Sequence, residues 1–268
     1  MRKNLFITSS LIIVLAAASA FLGIFRSDLY HDNAFVKTAW LANDWVTLLL
    51  AMPALLMTMV LSRRKEIKAE LIWIGLLGYF FYNYAFYLFG AVFNSLFLPY
   101  VFICSLSFFS ILGYFSILPV HTLVFEPKTT RWVNVFLLLL SVMLCLIEIP
   151  PCIQFVTAGK IPELNLKTGH PTNIVYALDL TFIVPCMLIA AILNFRKNVW
   201  GGVLSIFMLV KASTYGLVLI SGTILLIHKG ETDPLFPVWI FITAGGIFGS
   251  WLMLKNLKTG LPASNPHN

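Results

Sequence analysis

The stretch VWGGVLSIFMLVKASTYGLVLISGTILLI, residues 199–227, decides how the chain is read. It is long enough for a helix to cross a hydrocarbon core of about 30 Å, and its one formal charge, Lys211, falls near the middle. A charge at that depth costs ~2.5 kcal/mol or more, so such a side chain is paired, snorkelled or turned into a cavity. The segment therefore implies a membrane protein and, within it, a polar site around Lys211.

The rest of the chain agrees with that environment. Of its 268 residues 59% are hydrophobic and 11% charged, and the mean hydropathy is +0.90. This composition excludes an ordinary soluble domain. Apolar runs of spanning length occur near 5–25, 45–62, 71–92, 98–120, 132–150, 174–195, 199–227 and 237–254. They are continuously apolar, whereas barrel strands alternate at period two, so the spanning element is the α-helix. The expected class is all-α: a polytopic transmembrane bundle of eight spans in a single membrane domain, 1–268, with a loose polar tail at 257–268.

Lysine and arginine set the orientation. With the N-terminus cytoplasmic, twelve of the 18 fall inside: Arg2, Lys3, Arg63, Arg64, Lys65, Lys68, Lys128, Arg131, Arg196, Lys197, Lys255 and Lys258. Five fall outside, Arg26, Lys37, Lys160, Lys167 and Lys229, and Lys211 lies in the membrane. Both termini are expected in the cytoplasm. The net charge of +7 is mostly this bias; no basic patch interleaved with aromatic residues lies outside the spans, so nucleic acid is not an expected partner. The start, with Ala18-Ser19-Ala20 after an apolar run, imitates a cleavable leader, but the run continues through Phe21, Leu22, Ile24 and Phe25, which favours a retained span.

Between spans, the outer segment from Asp28 to Asn43 has a helical apolar rhythm and an N-cap at Asp32 or Asn33, and is expected to lie flat at the interface. The fifth span is expected to end at Pro150-Pro151, leaving Cys152 to Asn173 as the longest outer connection. In the eighth span Gly245 and Gly249 have the spacing of close helix contact.

The two halves echo each other. Pro53 precedes Arg63-Arg64 much as Pro185 precedes Arg196-Lys197, Asn83-x-x-x-Tyr87 matches Lys211-x-x-x-Tyr215, and Leu96-Phe-Leu-Pro99 matches Leu235-Phe-Pro237. The pattern predicts parallel repeats, 1–125 and 126–256, of four helices each, related by an axis along the membrane normal. Under this alignment Thr47 stands opposite Asp179 and Asn83 opposite Lys211. One half carries neutral polar groups where the other carries an acid and a base, so Asp179 and Lys211 are expected to belong together. On antiparallel neighbouring helices their depths differ by about 6 Å, which a lysine side chain nearly spans. The candidate substrate or ion site is Asp179, Lys211, Asn83, Tyr87, Tyr215 and Glu148, the last somewhat nearer the outer surface.

Other chemistry finds no support. Cys104, Cys145, Cys152 and Cys186 form no Cys-x-x-Cys, and His31, His170 and His228 lack metal-ligand spacing, so no metal is expected. No Ser/His/Asp arrangement, phosphate-cradling glycine loop or His-Glu-x-x-His points to an enzyme. Lys211-Ala-Ser-Thr-Tyr-Gly-Leu-Val-Leu resembles the retinal-binding lysine helix of microbial rhodopsins, but here the helix runs from inside to outside and another span follows, so no cofactor is expected. Asp179, Pro185, Arg196-Lys197, Trp200-Gly201, Lys211 and Gly216 are similar to a pattern in uncharacterised bacterial multi-spanning proteins, which implies the bacterial cytoplasmic membrane and no particular activity. The leading expectation is a small-molecule or ion transporter, with the bilayer and a small polar substrate or ion as partners. The alternative is a non-transporting sensor or assembly module with a structural Asp–Lys pair.

Overall fold

The computed structural model describes residues 2–26, 28–64 and 66–260. Lys65 of the inner anchor and residues 261–268 of the expected tail lie outside the described residues. Among the described residues eight helices are long and apolar enough to cross a membrane: α1 Lys3–Phe25, α2 Ala34–Ser62, α3 Ile67–Gly90, α4 Phe97–Phe115, α5 Pro127–Ala158, α6 Ile174–Phe195, α7 Val199–His228 and α8 Phe236–Lys255. The all-α bundle is the fold.

Local chemistry fixes where several helices begin and end. Asn33, Asn173 and Asn198 each accept a backbone N–H from the first turn of α2, α6 and α7, at 2.9, 3.1 and 3.0 Å, which supplies one of the donors' missing partners. Gly159, at φ 65°, closes α5 in the left-handed conformation that glycine adopts without strain.

Two expectations are corrected. The outer segment after α1 is not a separate interfacial helix: from Ala34 onward it is the first part of α2. Trp40, Asn43 and Asp44 are therefore buried in the bundle and not laid on its surface. Likewise α5 does not stop at Pro150-Pro151 but continues to Ala158. Within a membrane bundle neighbouring groups and local adjustments accommodate the freed carbonyls. The connection to α6 is correspondingly shorter and holds a small helix, Glu163–Thr168.

In α2 and α6 the backbone departs from regular α geometry at corresponding places. A π-helical turn occupies Thr47–Ala51, and another occupies Asp179–Ile183. In each the residue before a proline reaches back five residues: Met52 N–H to Thr47 O, and Val184 N–H to Asp179 O. Proline itself has no N–H and crowds the preceding turn, which explains why the helix widens just ahead of Pro53 and Pro185.

The core lies where α3 crosses α7. In their most apolar windows 83% and 61% of residues are buried, against 28–39% for the other six spans. Around this pair α3 packs on α4 and α2, α7 on α8 and α6, and across the centre α2 packs on α7 and α6 on α3. At the periphery α1 lies against α4 and α2, and α5 against α8 and α6. Each of these pairings has a counterpart four helices along the chain. At the α7–α8 contact, Gly246 and Gly249 face Leu209 and Ser213, while Gly245 turns to Phe136 of α5, so Gly245 and Gly249 both lie at close contacts but with different neighbours.

Candidate functional site

Lys211 is 5% exposed and Asp179 8%, on α7 and α6 respectively. They share one cluster but not a direct bond: among the described residues no nitrogen of Lys211 comes within 4.0 Å of a carboxylate oxygen. Tyr82 of α3 stands between them. Its hydroxyl donates to Asp179 Oδ1 at 2.7 Å, and the face of its ring lies 3.4 Å from Lys211 Nζ. Tyr215, one turn beyond Lys211 on α7, presents a second ring with its centroid 4.9 Å from the ammonium. The two rings meet edge to face, with centroids 4.7 Å apart.

The ammonium thus rests against two π faces, where attraction to the ring quadrupole partly replaces lost hydration. It makes no hydrogen bond to any described residue, so its three N–H donors have no protein acceptor. Glu148 of α5, 2% exposed, faces Asp179 through its carboxyl group, and the Lys211 charge acts on both acids. Two carboxyls and one ammonium in a low-dielectric interior reach neutrality only when the carboxyl pair also holds one proton or another cation.

Of the six residues expected at the site, the structure gathers Asp179, Lys211, Tyr215 and Glu148. Asn83 and Tyr87 belong to a neighbouring polar group on the first-half side of α3. Asn83 Nδ2 lies 3.5 Å from Thr47 Oγ1, which also bonds Tyr79 Oη at 2.8 Å. Tyr87 donates to Asp44 Oδ1 at 2.8 Å and to Trp40 O at 3.1 Å, with its ring stacked on Trp40 at 4.5 Å.

Two functional groups are absent from the sequence-based set. Tyr82 faces α6 and α7, whereas Tyr79, Asn83 and Tyr87, spaced by four on α3, face α2. Asp44 falls one residue before the expected start of the second span. Its signal is its place three residues ahead of Thr47, on what proves to be the same helix.

Two open hollows lie away from this cluster, along the seam of α1 and α2. One, of about 360 Å³, runs from Phe6 and Leu56 to Arg63, and the other, about 470 Å³, lies between Ala17, Phe21 and Leu48. All four cysteines are free, and Cys145 and Cys152 are two turns apart on α5. No family model matches the chain, and no curated protein or solved structure matches it.

Proposed function

We propose that this membrane protein is a small-molecule or ion transporter in which Asp179 and Glu148 receive a cationic substrate or ion. Lys211 is the built-in cation that takes the same place when the substrate leaves. The observation that carries this reading is the position of the ammonium: it sits on Tyr82, whose hydroxyl holds Asp179, yet it contacts no carboxylate and donates no hydrogen bond. A purely structural pair gains most from a direct, fully hydrogen-bonded contact. Aromatic faces beside two acids are instead the surroundings that recognise a mobile ammonium or alkali cation.

The proposal includes two parallel four-helix repeats. Their support is the pair of π turns at Thr47 and Asp179, each ended by a proline, and the matching set of helix pairings about the α3–α7 crossing. The charged cluster then lies across the boundary, since Tyr82 belongs to the first half and the rest to the second. Such placement suits alternating access, in which one half rocks against the other around a site near the midplane.

The alternative, a sensor or assembly module with a structural charge cluster, draws on the tight burial of the three charged residues. Proteoliposomes separate the two. Purified protein is challenged with protons, ammonium, methylammonium and choline while membrane current and internal pH are followed. A transporter gives a saturable response to at least one cation; Asp179→Asn abolishes it, and Lys211→Met keeps cation binding but stops net flux. A protein that passes none of these cations, and whose variants change only thermal stability, is the structural module.

A further inference from the structure

The first half holds a buried carboxyl that the Asp179 cluster does not use. Asp44 is 2% exposed. Its Oδ2 accepts the Tyr30 hydroxyl and its Oδ1 the Tyr87 hydroxyl, both at 2.8 Å. Each oxygen thus faces a donor, the arrangement an ionised carboxylate requires. Among the described residues no Lys, Arg or His nitrogen lies within 4.0 Å of it. A carboxylate buried in this way is paired, coordinates a metal ion or takes up a proton.

Within one turn of Asp44 on α2, and across from it on α3, stand neutral polar side chains, two of them with amide oxygens that lack donors. Thr47 Oγ1 lies one turn along α2, close to the amide of Asn83. Asn83 is 0% exposed, and its Oδ1 has no donor. Asn43, four residues before Thr47 and on the same face of α2, is 1% exposed, and its Oδ1 also has no donor. The π turn begins at Thr47, and Pro53 just beyond has no N–H to return to the carbonyls of that turn. One carboxylate and several neutral oxygens form a hard donor set of low charge.

We propose that Asp44, Asn43, Thr47 and Asn83 form a binding site for a monovalent alkali cation, sodium, between α2 and α3. A proton on Asp44 is accommodated locally, since Tyr87 can turn its one hydrogen to Trp40 O, but it leaves both amide oxygens without partners. A divalent ion calls for more carboxylates, and among the described residues no group of three His, Cys, Asp or Glu gathers. Broken helices whose carbonyls face a cavity are a recurrent setting for sodium in transporters. The inference stands apart from the Asp179 reading, because it concerns binding at a different carboxylate.

The test uses the full-length protein in detergent, free of sodium, with thermal unfolding followed as NaCl, KCl or choline chloride is added at equal ionic strength. Sodium alone is expected to raise the unfolding midpoint saturably, by about 5 °C at high occupancy. In Thr47→Val and Asn83→Leu the half-saturating concentration rises by about tenfold or more, while His170→Gln keeps the wild-type response. Saturable ²²Na⁺ binding to the wild-type protein, at one ion per chain, is the direct counterpart and does not depend on any variant folding. Equal responses to all three salts, or absent ²²Na⁺ binding, overturn the proposal. So does a midpoint that responds to acid and not to sodium, which would make Asp44 a proton site.

Discussion

Asp44 and Asp179 are both buried aspartates on helices that widen into a π turn ahead of a proline, and they are handled in opposite ways. Asp44 is closed off: two tyrosine hydroxyls occupy its oxygens, and the backbone of α1 presses on it at Gly23, where an added Cβ would meet Asp44 Oδ2 and Tyr30 Oη. Asp179 is shared: one tyrosine hydroxyl holds it, a second acid faces it, and a lysine stands one ring away. The first arrangement fixes a single charge in one geometry. The second assembles more groups than a fixed charge needs, which is the condition for exchanging partners. The comparison teaches that burial alone does not say how a charge is used: on the Asp44 side the unspent groups are neutral amide oxygens, and around Asp179 they are a second acid and an ammonium.

The largest effect expected from this contrast is a charge imbalance. Asp179→Leu leaves Lys211 with Glu148 alone and strips the acceptor from Tyr82, which should cost about 3–5 kcal/mol. Adding Lys211→Met should restore at least half of that loss, measured as a double-mutant cycle in chemical or thermal unfolding. Asp44→Leu should cost less, about 1–3 kcal/mol, since it strips the acceptor from Tyr30 while Tyr87 keeps Trp40 O, and no lysine substitution should repair it. If Lys211→Met also rescues Asp44→Leu, the two sites are one electrostatic unit and the contrast fails.

Tyr82 separates ring from hydroxyl. Tyr82→Phe keeps the face beneath Lys211 and removes the donor to Asp179, so it should cost about 1.5–3 kcal/mol and weaken any Asp179-dependent flux. Tyr215→Phe removes a hydroxyl but keeps the more distant ring, and should cost less than about 1 kcal/mol. Equal losses from the two variants would show that the hydroxyl bond to Asp179 carries no special weight. On the other side, Gly23→Ala should destabilise by about 1–3 kcal/mol through overpacking against Asp44, and it should blunt the sodium response.

Much of this was legible in the residues, and the misses have physical causes. Eight spans follow from hydropathy because in a bilayer the length of an apolar run and the length of its helix are tied together. The nearness of Asp179 and Lys211 follows from helix rise and antiparallel packing. The direct bond does not: sequence spacing gives depth along a helix but not which neighbour's ring comes between, and Tyr82 arrives from α3, far away in the chain. Asp44 was hidden by its surroundings, because a window that ends a span at the first acid assigns that acid to a loop. The segment from Asp28 to Asn43 read as interfacial because its polar residues suggest a wet face, whereas Asn43 and the adjoining Asp44 are buried against protein. The prolines misled in α5, where they sit within a continuing helix, and informed in α2 and α6, where they mark the π turns.

The smallest expected effect lies where the connector between α5 and α6 is fastened to the start of α2. Asn33, the N-cap of α2, donates to Lys167 O and Thr168 O of the connector between α5 and α6, each at 2.9 Å. Just beyond, His170 packs near Gly90 and Asp32, with its Nε2 buried and without a partner. Burial holds the His170 imidazole below its ordinary value, and the Asp32 charge opposes this only in part. The folded state therefore binds fewer protons than the unfolded state, in which histidine titrates near ~6.5. Stability contributed by the neutral ring is complete above that pH and is lost as pH falls through it toward the lower folded value. The ring is only partly buried, so the change should amount to about 1–2 °C in the unfolding midpoint between pH 7.5 and 5. His170→Gln should flatten this step without altering the sodium response or Asp179-dependent flux. A His170→Gln variant that changes either of those would mean that the connector works as part of a site, and that the fastening at α2 couples the two aspartates.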